Sequence, residues 1–335
     1  MNSKTLRHIL LATLLMVIAL AIVGCGSQRS TRVSPTRTSK SYSVVKATSK
    51  DTLKTLANRY MEDPEKAWII AAYNRIDSVK EGDIVIIPRT PLNLGGIQDG
   101  RLQTIPVLTY SGFSEDVSDA ITIKRTDFVA QMQYLKDKGY TPVALDRFYD
   151  FLEFKEQAPE KAVVITIDDV GQSTFSVAFP VLQQFGYPAT VFVATDLVSG
   201  KGNALDWDQI RQMHESGIGI GHRTKTLRNL TRRLGDETFE DYIIAVDREM
   251  TVPSLQFKTE LSMAPEFFAY PFGATNELVI SLLKKNKFRG ALTLSKGSNP
   301  FFTNNYLVKR NPVPGNMSLA EFEKLFVFSQ KGESQ

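Results

Sequence analysis

The sequence predicts an α/β chain of 335 residues, with a small βααβ unit ahead of a larger domain curled into a distorted (β/α) barrel. Three observations carry this expectation. From residue 105 onward, short β-forming runs alternate with stretches of helical periodicity, the pattern of a parallel sheet. One run, Ala162–Ile167, has no polar alternation, as befits a strand covered on both faces. It ends on two adjacent carboxylates, Asp168 and Asp169, and the carboxyl ends of parallel strands are where such folds place their chemistry.

The amino terminus reads as an export signal. Lys4 and Arg7 precede an apolar run over 9–23, interrupted by Thr13 and short for a membrane span. The run closes on Ile22-Val23-Gly24-Cys25, which resembles a bacterial lipobox. That resemblance implies removal of residues 1–24 and acyl chains on Cys25, enough to hold the protein on a membrane; an uncleaved anchor is the alternative. Cys25 is the only cysteine, so disulfides and thiolate metal ligands are excluded. Gly26 follows it where an inner-membrane lipoprotein often has Asp, which points to the outer membrane if the cell has one. Residues 25–41, rich in Ser, Thr and Arg, read as a flexible tether. The net charge of +4 includes six positives before residue 41 (Lys4, Arg7, Arg29, Arg32, Arg37 and Lys40), which leaves 4 − 6 = −2 for residues 41–335. Nothing therefore argues for nucleic acid as a partner.

Residues 42–89 form the small unit. Strand-like runs at 42–45 and 83–88 bracket two helical patterns, Leu53, Leu56, Ala57 and Tyr60, then Trp68, Ile69, Ala72 and Tyr73. Together with Asp51-Thr52-Leu53, Asn74 and the run from Val79 to Pro88, the segment resembles a LysM domain, with Lys50 where that family commonly has Gly. The resemblance implies affinity for glycans containing N-acetylglucosamine, such as peptidoglycan; a βααβ fold without sugar affinity is the plainer reading. A linker at 90–104 leads to the large domain, 105–330. Its expected strands are 106–110, 143–145, 163–167, 189–194, 217–221, 267–271, 290–294 and 307–310, and its expected helices 127–139, 174–186, 206–216, 236–250, 276–287 and 318–327.

The large domain resembles the polysaccharide deacetylases of the NodB-homology group over about 105–327. The likeness rests on Thr166-Ile167-Asp168-Asp169, Gly186-Tyr187-Pro188-Ala189-Thr190, Trp207-Asp208-Gln209-Ile210 and Phe268-Ala269-Tyr270-Pro271-Phe272-Gly273. It implies metal-assisted removal of acetyl from an N-acetyl sugar, with Asp168 as general base and Asp169 and two histidines on a metal, commonly zinc. It also implies a substrate groove involving Trp207, Tyr270, Pro271, Phe272 and Gly273. The histidines are the difficulty, since the chain has only His8, His214 and His222. Ungapped placement of the family's Ser-His-Thr-x-x-His pattern puts Arg223 and Leu227 at the two ligand positions. A guanidinium cannot bind a cation, and leucine has no donor atom. Two possibilities remain for the neighbourhood. A bulge in the Gly-rich strand could turn His222 inward beside Asp169 as a ligand, or His222 could bond locally while Arg223 approaches the acids in place of the cation.

The sequence therefore predicts a cell-envelope lipoprotein that binds peptidoglycan or another N-acetylglucosamine polymer, with a degenerate deacetylase domain, no cofactor, and zinc only if it is active. The alternatives are a working metal-dependent deacetylase with an altered site, and a structural or partner-binding envelope protein.

Overall fold

The computed structural model describes residues 37–38, 42–89, 93–98, 101–199 and 201–331. The signal segment, Cys25 and most of the tether lie outside the described residues. The chain divides into two compact units, Met1–Leu92 and Asn93–Gln335.

In the first unit, strands β1 (Arg37–Thr38), β2 (Tyr42–Lys46) and β3 (Ile84–Pro88) form an antiparallel sheet, with helices α1 (Leu53–Met61) and α2 (Ala67–Asn74) between β2 and β3. The βααβ order is as expected. The addition is β1, which falls inside the expected tether but pairs with Ser43 and Val44. Thr52 caps α1 through a reciprocal pair with Thr55. Buried Asp51 accepts from the Thr48 amide and hydroxyl, both at 2.8 Å, and from Arg59 at 2.7 Å. Asn74 satisfies the backbone of Ile86 in both directions and the carbonyl of Ile70. These polar residues close the unit around Leu56, Ala57, Ile70, Val85 and Ile87.

The second unit contains β4 (Ile97–Gln98), β5 (Arg101–Tyr110), α3 (Arg125–Asp137), α4 (Leu145–Leu152), β6 (Ala162–Ile167), a π-helical turn (Thr174–Ala178) running into α5 (Phe179–Phe185), β7 (Thr190–Val193), α6 (Trp207–Glu215), β8 (Gly219–His222), α7 (Phe239–Leu261), β9 (Phe267–Ala269), α8 (Glu277–Lys285), β10 (Gly290–Leu292), β11 (Ser298–Pro300), β12 (Asn311–Pro312), α9 (Leu319–Glu323) and β13 (Ser329–Lys331). Strands β5, β6, β7, β8, β9 and β10 pair in that order, all parallel. A parallel bridge joins Leu292 to Val308, and β12 then pairs in parallel with β5. The segment 308–312 thus spans the first and last strands and closes the curl.

Alternation along the strands divides the core. Val107, Val164, Phe192, Ala269, Leu292 and Val308 pack together on the inner face with Phe148, Tyr149 and Phe151 of α4. Leu108, Ile165, Ile167 and Val191 face outward onto α3, α5 and α6. Glycine is required where the filling crowds the wall. A Cβ on Gly290 would lie 2.0 Å from the Tyr149 ring, and one on Gly221 would lie 2.3 Å from Phe192.

Several sequence expectations change, and the strand expected at 307–310 reduces to the bridge at Val308. The linker does not reach 104, because β5 begins at Arg101. Leu145, expected in a strand, opens α4 instead; Leu145, Phe148, Tyr149 and Leu152 are all buried, at helical spacing. The helix expected to end at 250 runs to Leu261 through Pro253. Proline cannot donate to a carbonyl one turn back, yet the Ser254 hydroxyl bonds the Met250 carbonyl at 2.7 Å.

Candidate active site

The acids lie where β6 ends. Asp168 is inward, continuing the parity of Val164 and Thr166, and is only 8% exposed. A buried carboxylate needs a counter-charge with matching hydrogen bonds. Arg310 supplies it from the closing segment. It is fully buried, and its Nη1 and Nη2 hold the two carboxylate oxygens of Asp168 at 2.7 and 2.9 Å, a two-pronged contact. The rest of its donor capacity is also used. Nε donates to the Thr293 carbonyl at 2.8 Å, Nη1 also lies within reach of the Thr109 and Thr166 hydroxyls, and the guanidinium stands 5.6 Å above the Phe192 ring centre. Burial alone would raise the Asp168 pKa, but the charges of Arg310 and Arg223 outweigh it and hold the carboxyl below the usual range.

Arg310 was not among the residues singled out from the sequence, although a signal was there. In the run 307–310, Leu307 and Lys309 are exposed while Val308 and Arg310 are buried. An arginine in phase with an inward valine calls for a buried acid.

Asp169 turns away from Arg310. One oxygen accepts from the Gly171 amide at 2.8 Å and the other from the Thr174 hydroxyl at 2.9 Å, with Ser173 at 3.5 Å. Burial is the largest influence on this carboxyl and raises its pKa, despite those bonds and the Arg223 charge.

The β7–β8 ladder runs without a break from Thr190↔Gly219 to Val193↔His222. Since no bulge intervenes, parity points Gly221 and Arg223 inward and His222 outward. This corrects the reading of His222 as a metal ligand. Its ring is fully buried among Phe257, Phe268 and Phe288, with ring centres 5.2–5.6 Å away. Nε2 lies 3.0 Å from the Met250 carbonyl and must donate to it, so Nδ1 accepts from the Thr224 amide at 3.0 Å. Neither nitrogen is available.

Arg223 does approach the acids. Nη1 donates to the Asp168 carbonyl, and Nη2 lies 3.5 Å from the Asp168 carboxylate. The following loop holds two non-glycine residues in left-handed backbone, Thr224 (φ 65°) and Leu227 (φ 61°). It is secured by Glu249 of α7, a 7% exposed carboxylate that accepts from the amides of Lys225 and Thr226 at 2.9 Å and from the Thr226 hydroxyl at 2.8 Å. Glu249→Ala is expected to lower stability by about 1–2 kcal/mol, because it removes charge-assisted bonds that a buried carboxylate accepts from partly buried donors. Urea denaturation checks the magnitude, and faster hydrogen exchange at 225 and 226 checks the place.

The expected groove is only partly present. Tyr270 and Pro271 are buried, so they are corrected to core residues; the Tyr270 hydroxyl donates to the Tyr306 carbonyl at 3.0 Å. Trp207 is half-buried, edge-on to Phe257 at 5.7 Å. Gly273 has φ 69° and a Cβ there would meet the Leu294 amide at 2.7 Å. Phe272 alone presents a ring to solvent, 69% exposed, from a left-handed backbone (φ 59°).

A divalent metal does not fit these residues. Both Asp169 oxygens are engaged, and Arg223 brings a fixed positive charge. Among the described residues, no three His, Cys, Asp or Glu side chains come together as a metal-binding group.

The family profile for polysaccharide deacetylase matches residues 155–291. A poly-β-1,6-N-acetyl-D-glucosamine N-deacetylase of Staphylococcus epidermidis is 25% identical over 189 residues, 55% of this chain and 65% of its own length. An enzyme of the same name from Escherichia coli K12 is 25% identical over 250 residues, 64% of this chain, which spans only 37% of that protein. Among solved structures, a Streptococcus pyogenes deacetylase in complex with acetate superposes with a TM-score of 0.60 at 21% identity, over 67% of this chain and 98% of its own. Residues 155–291 of the second unit thus resemble the polysaccharide deacetylases in sequence, and the unit shares the barrel fold of the solved deacetylase.

Proposed function

We propose that this chain is a cell-envelope lipoprotein that binds an N-acetylglucosamine polymer, peptidoglycan or a related glycan, without hydrolysing it. The observation that carries the proposal is Arg223 beside the acids; the family resemblance puts Leu227 at the other ligand position. A hydrolytic metal site must keep a metal-bound water on an open cation held by neutral imidazoles and a carboxylate. Here a guanidinium occupies that seat and a second one neutralises the would-be base. The relatives named above act on poly-β-1,6-N-acetyl-D-glucosamine, which makes an N-acetylglucosamine polymer the natural ligand class. The LysM-like first unit, with Trp68 and Tyr73 exposed, fits the same class. The lipobox-like Cys25 supplies the membrane anchor in this reading.

The test is release of acetate from acetylated N-acetylglucosamine oligomers by the purified chain, with and without added zinc. No release is expected in either case, while the chain sediments with purified peptidoglycan and still does so with residues 42–88 deleted. Zinc retained in stoichiometric amount through dialysis, and lost in Asp169→Ala, would overturn the proposal in favour of a working enzyme. Loss of all sedimentation with the deletion would leave the barrel a structural part.

A further inference from the structure

The two guanidiniums at Asp168 are not equivalent. Arg310 is wholly buried, and its donors are spent on Asp168, Thr293, Thr109 and Thr166. That single residue already satisfies the Asp168 carboxylate in the two-pronged geometry that matches guanidinium to carboxylate. The Asp168 carboxylate therefore does not need the Arg223 donors, although Nη1 of Arg223 holds the Asp168 backbone carbonyl. The Arg223 side chain is 18% exposed, its Nη2 reaches Asp168 only at 3.5 Å without a hydrogen bond, and its Nε has no partner among the described residues. It stands at the carboxyl end of β8, on the inward parity, at the end of the barrel where parallel-strand folds bind their ligands.

Charge bookkeeping decides what such a group would take. Two acids face two arginines, so the cluster is balanced when both acids are ionised. An added anion would be uncompensated in a partly buried site, whereas a neutral carbonyl oxygen can accept an N–H without changing the balance. On a glycan the neutral carbonyl is that of an N-acyl group.

We infer that Arg223 is a specificity-determining residue that reads the acyl carbonyl of an N-acetylated sugar, donating from Nη2 to the carbonyl oxygen. This rests on the glycan-binding reading and adds to it a preference for acetylated over de-N-acetylated chains set by one side chain.

The test is calorimetric titration of the full chain and of Arg223→Leu with N-acetylglucosamine hexamer, glucosamine hexamer and a hexamer containing glucuronate. The wild type is expected to favour the acetylated hexamer, and Arg223→Leu to lose about tenfold in affinity for it, the value of one charge-assisted hydrogen bond, while losing none for glucosamine hexamer, whose ammonium groups meet the charge left on the acids. Arg223→Lys, which keeps the charge but not the fork, is expected to fall between them. It also gives a reading if the leucine variant does not fold. Binding of the acetylated hexamer that neither substitution alters overturns the inference and leaves the glycan-binding reading intact. An Arg223-dependent preference for glucuronate overturns it in favour of an anion receptor. Failure of the wild type to bind any hexamer overturns both.

Discussion

Arg310→Leu is expected to destabilise the chain by about 3–5 kcal/mol at neutral pH, the cost of leaving a buried carboxylate without its partner. Asp168 would keep only the Arg223 contact at 3.5 Å, and the Thr293 carbonyl would lose a donor. The double variant Asp168→Leu/Arg310→Leu removes both charges together and is expected to be more stable than Arg310→Leu alone. The pH dependence distinguishes a lost ion pair from a packing defect. In the wild type the Asp168 pKa is lower folded than unfolded, so the stabilisation is present above the ordinary carboxylate value of about 4 and is lost as pH falls through the folded value. Without Arg310, burial dominates and the carboxyl protonates more readily, so the deficit of Arg310→Leu should narrow on acidification. Urea denaturation of the three proteins at neutral and acidic pH measures this. A deficit below about 1 kcal/mol that does not vary with pH would mean that the pair does not hold the barrel seam.

That pair also marks what the sequence could and could not convey. The apolar run of β6 with its terminal acids and the β-α alternation were legible, because each is local periodicity, whereas the Gly-rich β8 left open whether His222 or Arg223 turns inward until its unbroken ladder fixed the register. The partner of Asp168 lies 142 residues away in a segment that forms only a bridge and a two-residue strand. Neither local pattern nor motif spacing records that contact. Tyr270 was misplaced for a related reason. An aromatic in a groove motif can face either the groove or the core, and its fully buried ring with a hydroxyl bonded to Tyr306 is a core solution that alternation along a three-residue strand could not distinguish. Helix α4 was missed although its apolar spacing is regular, because Val143-Ala144-Leu145 before it also satisfies a short strand.

A second large effect is expected from the outward-facing imidazole. Burial pushes the His222 pKa down to about 3, against some help from the Met250 carbonyl. The unfolded chain, with an ordinary histidine near 6.5, binds a proton that the folded chain refuses between those values. Stability is therefore full above about pH 6.5 and falls toward pH 3 by up to about 1.4 kcal/mol per unit, on the order of 4 kcal/mol in total. This window opens well above that of Asp168, so the two losses on acidification are separable above about pH 4 and overlap below it. His222→Phe suits the cage of Phe257, Phe268 and Phe288 but leaves the Thr224 amide without its acceptor, while the Met250 carbonyl keeps the Ser254 hydroxyl. It is expected to cost about 1–3 kcal/mol at pH 7 and to remove the slope, so that the two stability curves converge as pH falls. Denaturant unfolding from pH 7 to pH 4 checks this, and His214, present in both proteins, cancels. Parallel curves over that range would mean that the ring titrates freely, and a freely titrating imidazole could not be locked between Thr224 and Met250. Its nitrogens would then be open to a metal, and the reading of β8 as a strand that turns arginine inward and histidine outward would fail with it.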